Sequence, residues 1–192
     1  AIEAWDEMGP IDVLVNNAGI PKRRTVLDLR FDEIDDVMHL NYLSPVRLIK
    51  VLLPHMLERG RGAIVNMSSV AARFSPGGEA SYSASKAALT SFSEALAVET
   101  WDTPIQVHVV NPAIIDTPLF QLPDNDPSYA PLDPLPPSAV ADAIVDQLRS
   151  GRFEIYVPAE FQEFADGRFR DIQAAIEGSA AYYRSVTANA GG

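Results

Sequence analysis

The chain of 192 residues contains no cysteine, which excludes a disulfide framework and any thiolate-bound metal. Histidine is nearly as scarce. His39, His55 and His108 are too scattered to form a recognisable ligand motif, and His108 lies in an apolar strand pattern that suits a core histidine. Basic residues are also in deficit: 15 Lys and Arg against 26 Asp and Glu give a formal net charge of −11. Such a surface repels nucleic-acid phosphates and anionic lipid, so neither is an expected partner. No apolar run approaches the ~20 residues of a membrane-spanning helix, and the first residues lack a basic-then-apolar signal pattern. A cytoplasmic setting is the expectation.

What is present is a globular composition, 47% hydrophobic and 21% charged, suited to a single domain. Three short runs, "IDVLVNNAG" from Ile11, "GAIVNMSS" from Gly62 and "IQVHVVNPA" from Ile105, share an apolar, β-branched body and a small polar carboxyl end. Helical spacing of apolar residues fills the intervals, from Phe31 to Glu58 and from Ser81 to Trp101. This alternation predicts an α/β fold, a Rossmann-like doubly wound parallel sheet with helices on both faces. Six prolines between Leu122 and Ser138 predict a long loop, and residues 118–137 are the candidate substrate lid. Ser138 reads as the N-cap of a helix ending at Gly151, and "FEIYVPA" as a further strand. From Glu160 to Tyr183 the pattern is weakly helical and interrupted by Gly167 and Gly178; Gly191 and Gly192 are expected to fray.

Chemistry concentrates in "EASYSASKAALTSF", Glu79 to Phe92. Tyr82 and Lys86 stand four residues apart, hence on one helical face, among Ser and Ala that leave room for a large flat ligand. In an open parallel sheet, ligands bind at the carboxyl ends of the strands, and here those ends are "NNAG", "SS" and "NPAIIDT". Farther back, Pro45 follows Asn41 by four residues. Because proline has no N–H, the carbonyl of Asn41 loses its usual helical donor and is free to hold water.

Taken in order, these motifs resemble the short-chain dehydrogenase/reductase family from about Ala4 to Pro158. "NNAG" at Asn16 to Gly19 is similar to the family's motif after its fourth strand, and "YSASK" matches its Tyr-x-x-x-Lys signature. The resemblance implies a tetrad of Asn41, Ser69, Tyr82 and Lys86, with Ser68 as a support residue. It implies a nicotinamide cofactor, NAD or NADP, against Asn17, Ala18, Gly19, Tyr82, Lys86, Pro112, Ile115 and Thr117. The family's tyrosinate takes the hydroxyl proton of an alcohol while hydride moves to the nicotinamide, and the neighbouring ammonium of Lys86 is expected to lower the tyrosine pKa. A small alcohol or carbonyl compound is the implied substrate, no metal is implied, and a homodimer or homotetramer is the implied assembly. One departure is Ala113, which stands where the family usually has glycine after the proline.

The family's opening strand and glycine-rich pyrophosphate loop have no counterpart here: Gly60 to Gly62 precedes a strand instead of following one. The N-terminal βαβαβ part is therefore expected to be absent, leaving "IDVLVNNAG" as a sheet edge, and with it goes the residue that separates NAD from NADP. Three readings stay open: a general alcohol or ketone oxidoreductase, a 3-oxoacyl-type reductase, and a non-catalytic truncated remnant unable to bind dinucleotide.

Overall fold

The computed structural model describes residues 7, 9–128 and 132–190. Four strands, β1 (Val13–Asn16), β2 (Gly62–Met67), β3 (Ile105–Pro112) and β4 (Glu154–Val157), form one all-parallel sheet in the order β1-β2-β3-β4. The helical stretch after β1 is one rod in three parts: α1 (Phe31–Met38), a π-helical turn (His39–Leu43) and α2 (Ser44–Arg59). At its start the Glu33 carboxylate accepts the Arg30 N–H at 3.0 Å, half of a capping box. Gly60, at φ 68°, closes α2 in the left-handed conformation that glycine adopts without penalty. After β2 come α3 (Ala71–Phe74) and α4 (Ala80–Glu99), and after β3 come α5 (Pro137–Ser150), α6 (Phe161–Arg170) and α7 (Ile172–Ala190).

Side-chain alternation along the strands divides the core in two. On one face Ile64, Ile105 and Val107 pack against Ile49, Leu52 and Met56 of α2 and Leu96 of α4. On the other, Val65, Met67, Val110 and Val157 pack against Val140 of α5. Both layers expected of a doubly wound sheet are present. His108 is buried among the strands, with Nδ1 2.8 Å from the Arg152 carbonyl, so it is a satisfied core residue.

Three sequence expectations need correction. Pro136, not Ser138, is the N-cap of α5, because Pro137 takes the first helical position, where a missing N–H costs nothing. The segment 118–136 is not wholly irregular, since Pro118–Gln121 forms a 3-10 turn and Ile115 bridges Leu135. The tail is two well-formed helices that run through Gly167 and Gly178 and break instead at Asp171 (φ −146°, ψ 90°). The expected lid residues 129–131 and the terminal Gly191 and Gly192 lie outside the described residues.

Candidate active site

The carboxyl ends of β1, β2 and β3 open into a cavity of about 910 Å³. Ser69, Tyr82 and Lys86 all line it, Ser69 from the turn after β2 and the other two from the first turns of α4. The Ser69 hydroxyl accepts the Ala71 N–H at 3.1 Å, which fixes its direction. It also faces the Tyr82 phenol as a hydrogen-bond partner. Ser68 is turned the other way: its Oγ lies 2.7 Å from Thr90 Oγ1 and donates to the Lys86 carbonyl at 3.2 Å. That pins the serine turn to α4.

Lys86 is 4% exposed, and its Nζ donates to the Met67 carbonyl at 2.7 Å. An ammonium has three protons, so others are left for a ligand's hydroxyls. Its nitrogen lies 5.8 Å from the centre of the Tyr82 ring. Burial pushes the lysine down to about 8. The Tyr82 phenol moves the other way. Burial pushes it up to about 12, the Ser69 hydrogen bond pulls it down, and the Glu79 carboxylate raises it further. The expected lowering of Tyr82 by Lys86 is therefore not what the protein groups produce. The ammonium sits over the ring and is itself disfavoured by burial.

Asn41 does not face the cavity. It is fully buried, and its Nδ2 donates to the Ile20 carbonyl at 2.9 Å and to Ser85 Oγ at 3.0 Å, while its Oδ1 accepts the Ile20 N–H at 2.9 Å. One amide thus ties the loop after β1 to α4. The π-helical turn is centred on this residue, and the Ser44 N–H reaches back to the His39 carbonyl, so the ladder is widened where Pro45 removes a donor. A second amide network lies beneath. Asn16 Nδ2 donates to Asn66 Oδ1 at 2.7 Å, and Asn66 Nδ2 donates to Ser93 Oγ at 2.8 Å.

Of the cofactor-contact candidates, Asn17, Gly19, Pro112, Ile115 and Thr117 line the cavity together with Tyr82 and Lys86. Ala18 does not; it is exposed on the outer side of its loop. Gly19 shows how close the packing is. A Cβ there would stand 3.2 Å from Asn41 Oδ1 and 3.3 Å from Lys86 Nζ, so only glycine leaves the lysine head clear. These features fit the nicotinamide end of a dinucleotide: a floor of small residues, a buried ammonium with protons to give, and polar strand ends. Ala113 also lines the cavity, so the methyl absent from the family pattern forms part of its wall.

Sequence reasoning passed over several wall residues. Glu79 lies three positions before Tyr82, a spacing that puts both on one side of the helix start, and Arg23 faces it closely enough to act on its charge. Phe74, Phe161, Tyr182 and Tyr183 supply an aromatic wall from three separate helices. Arg23 is held by its neighbour segment, with its Nε donating to the Asp126 carbonyl at 2.7 Å. Beside it, Lys22 and Arg24 both bind the Asp124 side chain and both reach Glu33, at 3.0 and 3.1 Å. This cluster fastens the loop after β3 to the loop after β1. Among the described residues no group of acidic, histidine or cysteine side chains could hold a metal ion, and no helix is long and apolar enough to cross a membrane.

Comparison with known proteins gives a consistent result. Residues 2–127 match the family described as short chain dehydrogenase. The ketoacyl reductase HetN of Nostoc sp. is 34% identical over 157 residues, which are 81% of this chain and 54% of that protein. The chain thus spans about half the length of that curated relative. A short-chain dehydrogenase from Streptomyces avermitilis superposes with a TM-score of 0.79 at 30% identity, over 95% of this chain and 73% of that one. A short-chain dehydrogenase from Burkholderia cenocepacia, solved in complex with NADP, gives 0.77 at 30% identity, over 90% and 70%. The chain therefore belongs to the short-chain dehydrogenases.

Proposed function

We propose that the site interconverts an alcohol and a ketone or aldehyde with NAD or NADP as the hydride carrier. The observation that carries this reading is the common wall of Ser69, Tyr82 and Lys86, two hydroxyls within reach of one substrate oxygen and a buried ammonium beside them. A bound nicotinamide gives or takes the hydride. The chain's own residues handle the oxygen and its proton. Ser69 Oγ hydrogen-bonds the substrate oxygen as charge develops on it, and the Tyr82 hydroxyl supplies the proton in reduction or removes it in oxidation. Lys86 Nζ, anchored on the Met67 carbonyl, would hold a nicotinamide cofactor by donating to its ribose hydroxyls. Asn41 is a positioning residue: its amide fixes the loop behind Gly19, and its carbonyl, without a donor from Pro45, offers an acceptor for water leading from Lys86 to solvent. The segment 118–137 is proposed as the substrate lid, since Leu119, Ser128 and Leu132 line the cavity from it.

The Tyr82 phenol, held up by burial, carries its proton at neutral pH, the form that donates to a carbonyl oxygen in reduction. The test is a panel of ketones and alcohols assayed with both nicotinamides on the complete natural chain. Tyr82→Phe is expected to lower turnover by about 10²–10⁴-fold. Equal turnover in wild type and variant would remove Tyr82 from the mechanism.

A second reading, a 3-oxoacyl-type reductase, is favoured by the relative described as a ketoacyl reductase. The net charge of −11 weighs against docking of an acidic carrier protein. Faster reduction of a carrier-bound 3-oxoacyl thioester than of any simple ketone would establish it.

A further inference from the structure

Ser69 and Tyr82 are joined by a stretch that regular structure barely stiffens. Helix α3 is a single turn of four residues, too short to persist on its own hydrogen bonds. After it the backbone passes through Ser75 at φ 46° and Gly78 at φ 82°, both in the left-handed region. Main-chain bonds hold the two ends: the Val70 N–H donates to the Pro112 carbonyl at 3.1 Å, and the Gly78 carbonyl accepts the Arg24 N–H at 2.8 Å. Between them, Phe74 meets Phe161 and Phe164 of α6 edge-on, with ring centres 5.8 and 6.5 Å apart. Gly77 lies against the Tyr183 ring of α7, where a Cβ would come within 2.6 Å of Cδ2. The charged tie in this stretch is Arg73. Its Nη2 donates to Glu94 of α4 at 2.9 Å and to Glu154 of β4 at 3.0 Å, and its Nε donates to the same Glu154 oxygen at 3.3 Å. Burial opposes the guanidinium charge, and the Glu94 and Glu154 carboxylates more than restore it.

Glu154 Oε1 is the hub of this cluster. It also accepts Asn111 Nδ2 at 2.8 Å and the Tyr156 hydroxyl at 3.2 Å. Asn111 precedes Pro112, whose carbonyl receives the Val70 N–H and, at 3.4 Å, the Ser69 hydroxyl. The hub is thus connected to Ser69 by two routes, through Asn111 to Pro112 and through Arg73 to α3, whose Ala71 N–H donates to Ser69 Oγ. The other arm of Arg73 ends at Glu94, on the same helix as Tyr82. We propose that Arg73 is a positioning residue for the reaction: by bridging Glu154 and Glu94 it sets the separation of the Ser69 hydroxyl from the Tyr82 phenol. The proposal rests on the carbonyl-reducing role of those two hydroxyls. Their spacing matters because a misplacement of about 1 Å can cost on the order of 10²-fold in rate.

The test uses the complete natural chain and the ketone of the panel above that wild type reduces fastest. Values of kcat and KM are measured for wild type, Arg73→Met, Arg73→Lys, Ser69→Ala and the double variant Arg73→Met with Ser69→Ala. Arg73→Met keeps an apolar stem and removes the fork; it is expected to lower kcat about 10–100-fold while KM for the nicotinamide stays within about twofold. Arg73→Lys, a point charge without the fork, is expected to fall between. In the Ser69→Ala background, Arg73→Met is expected to cost less than about twofold, because the hydroxyl it places is gone. A loss by the same factor in both backgrounds, or an unchanged kcat in Arg73→Met, would overturn the proposal. Should Arg73→Met fail to fold, Glu94→Ala cuts only the α4 arm at a half-exposed position and enters the same cycle, with an expected loss of about 3–10-fold that again vanishes without Ser69. Ser69→Ala with wild-type turnover would remove the catalytic reading itself. An impaired Ser69→Ala beside a fully active Arg73→Met removes only the positioning role.

Discussion

Gly19 sits against both Asn41 and Lys86: a Cβ on it would approach the amide oxygen to 3.2 Å and the ammonium to 3.3 Å. Gly19→Ala therefore has to move one of two buried polar groups, each held by its own hydrogen bonds. The expected outcome is a loss of about 1–3 kcal/mol in stability and a larger loss in nicotinamide affinity. Urea denaturation and a cofactor titration check both parts.

Lys86 makes stability depend on pH in a defined direction. Its folded value, about 8, lies below the ordinary lysine value of 10.5, so between these limits the unfolded chain holds a proton that the folded chain has released. Stability accordingly rises with pH through that window, and below it the fold carries the cost of a buried ammonium. Lys86→Met is expected to be more stable than wild type by about 1–3 kcal/mol at neutral pH, the gain shrinking as pH approaches the upper limit. Chemical denaturation at the two ends of the window measures it.

Tyr82, with its phenol pushed up to about 12, is a proton donor across the neutral range. Reduction needs the phenol and oxidation the phenolate, so alcohol oxidation is expected to climb with pH through neutrality while carbonyl reduction stays level. Glu79 adds to the upward shift, so Glu79→Gln is expected to move the oxidation limb toward lower pH, raising the rate a few-fold at a fixed pH. A pH–rate profile in both directions tests this. An oxidation plateau already present near pH 7 in wild type would contradict it.

Asp124 receives both Lys22 and Arg24, and its own backbone sits at φ 62°, a conformation that asparagine tolerates as well as aspartate does. Asp124→Asn therefore removes the charge without adding strain. The expected result is faster hydrogen exchange in residues 122–128 and a KM less sensitive to added salt than that of wild type, with little change in Tm.

How much of this was legible in the sequence varies with the range of the interactions involved. Strand ends such as "NNAG" and "NPAIIDT", and the Tyr82–Lys86 spacing, are local patterns, so the sheet and three walls of the site could be read from them. The helices α6 and α7 could not. Gly167 and Gly178 each weaken a helix by about 1 kcal/mol, and what outweighs them is docking on Phe74 and Gly77, which are remote in sequence. The same reason hid the aromatic wall, because Phe74 is remote in sequence from Phe161, Tyr182 and Tyr183. The upward shift of Tyr82 was equally hidden: burial outweighs the Ser69 hydrogen bond there and the Glu79 carboxylate adds to it, whereas spacing names only Lys86.

The paired amides of Asn16 and Asn66 act as a registration mark between β1 and β2. Both strands are short and apolar, and their valine, leucine and isoleucine side chains would tolerate sliding by two residues, which preserves which face each presents. Only in the observed alignment, with Asn16 opposite Asn66, do the two buried amides meet. Any slip would break that bond and leave the buried Asn16 amide without it, at a cost of about 1–3 kcal/mol. The loop that carries Asn17 and Gly19 begins at Asn16. One hydrogen bond between two strands thus sets, to within a residue, where the loop that lines the cavity begins.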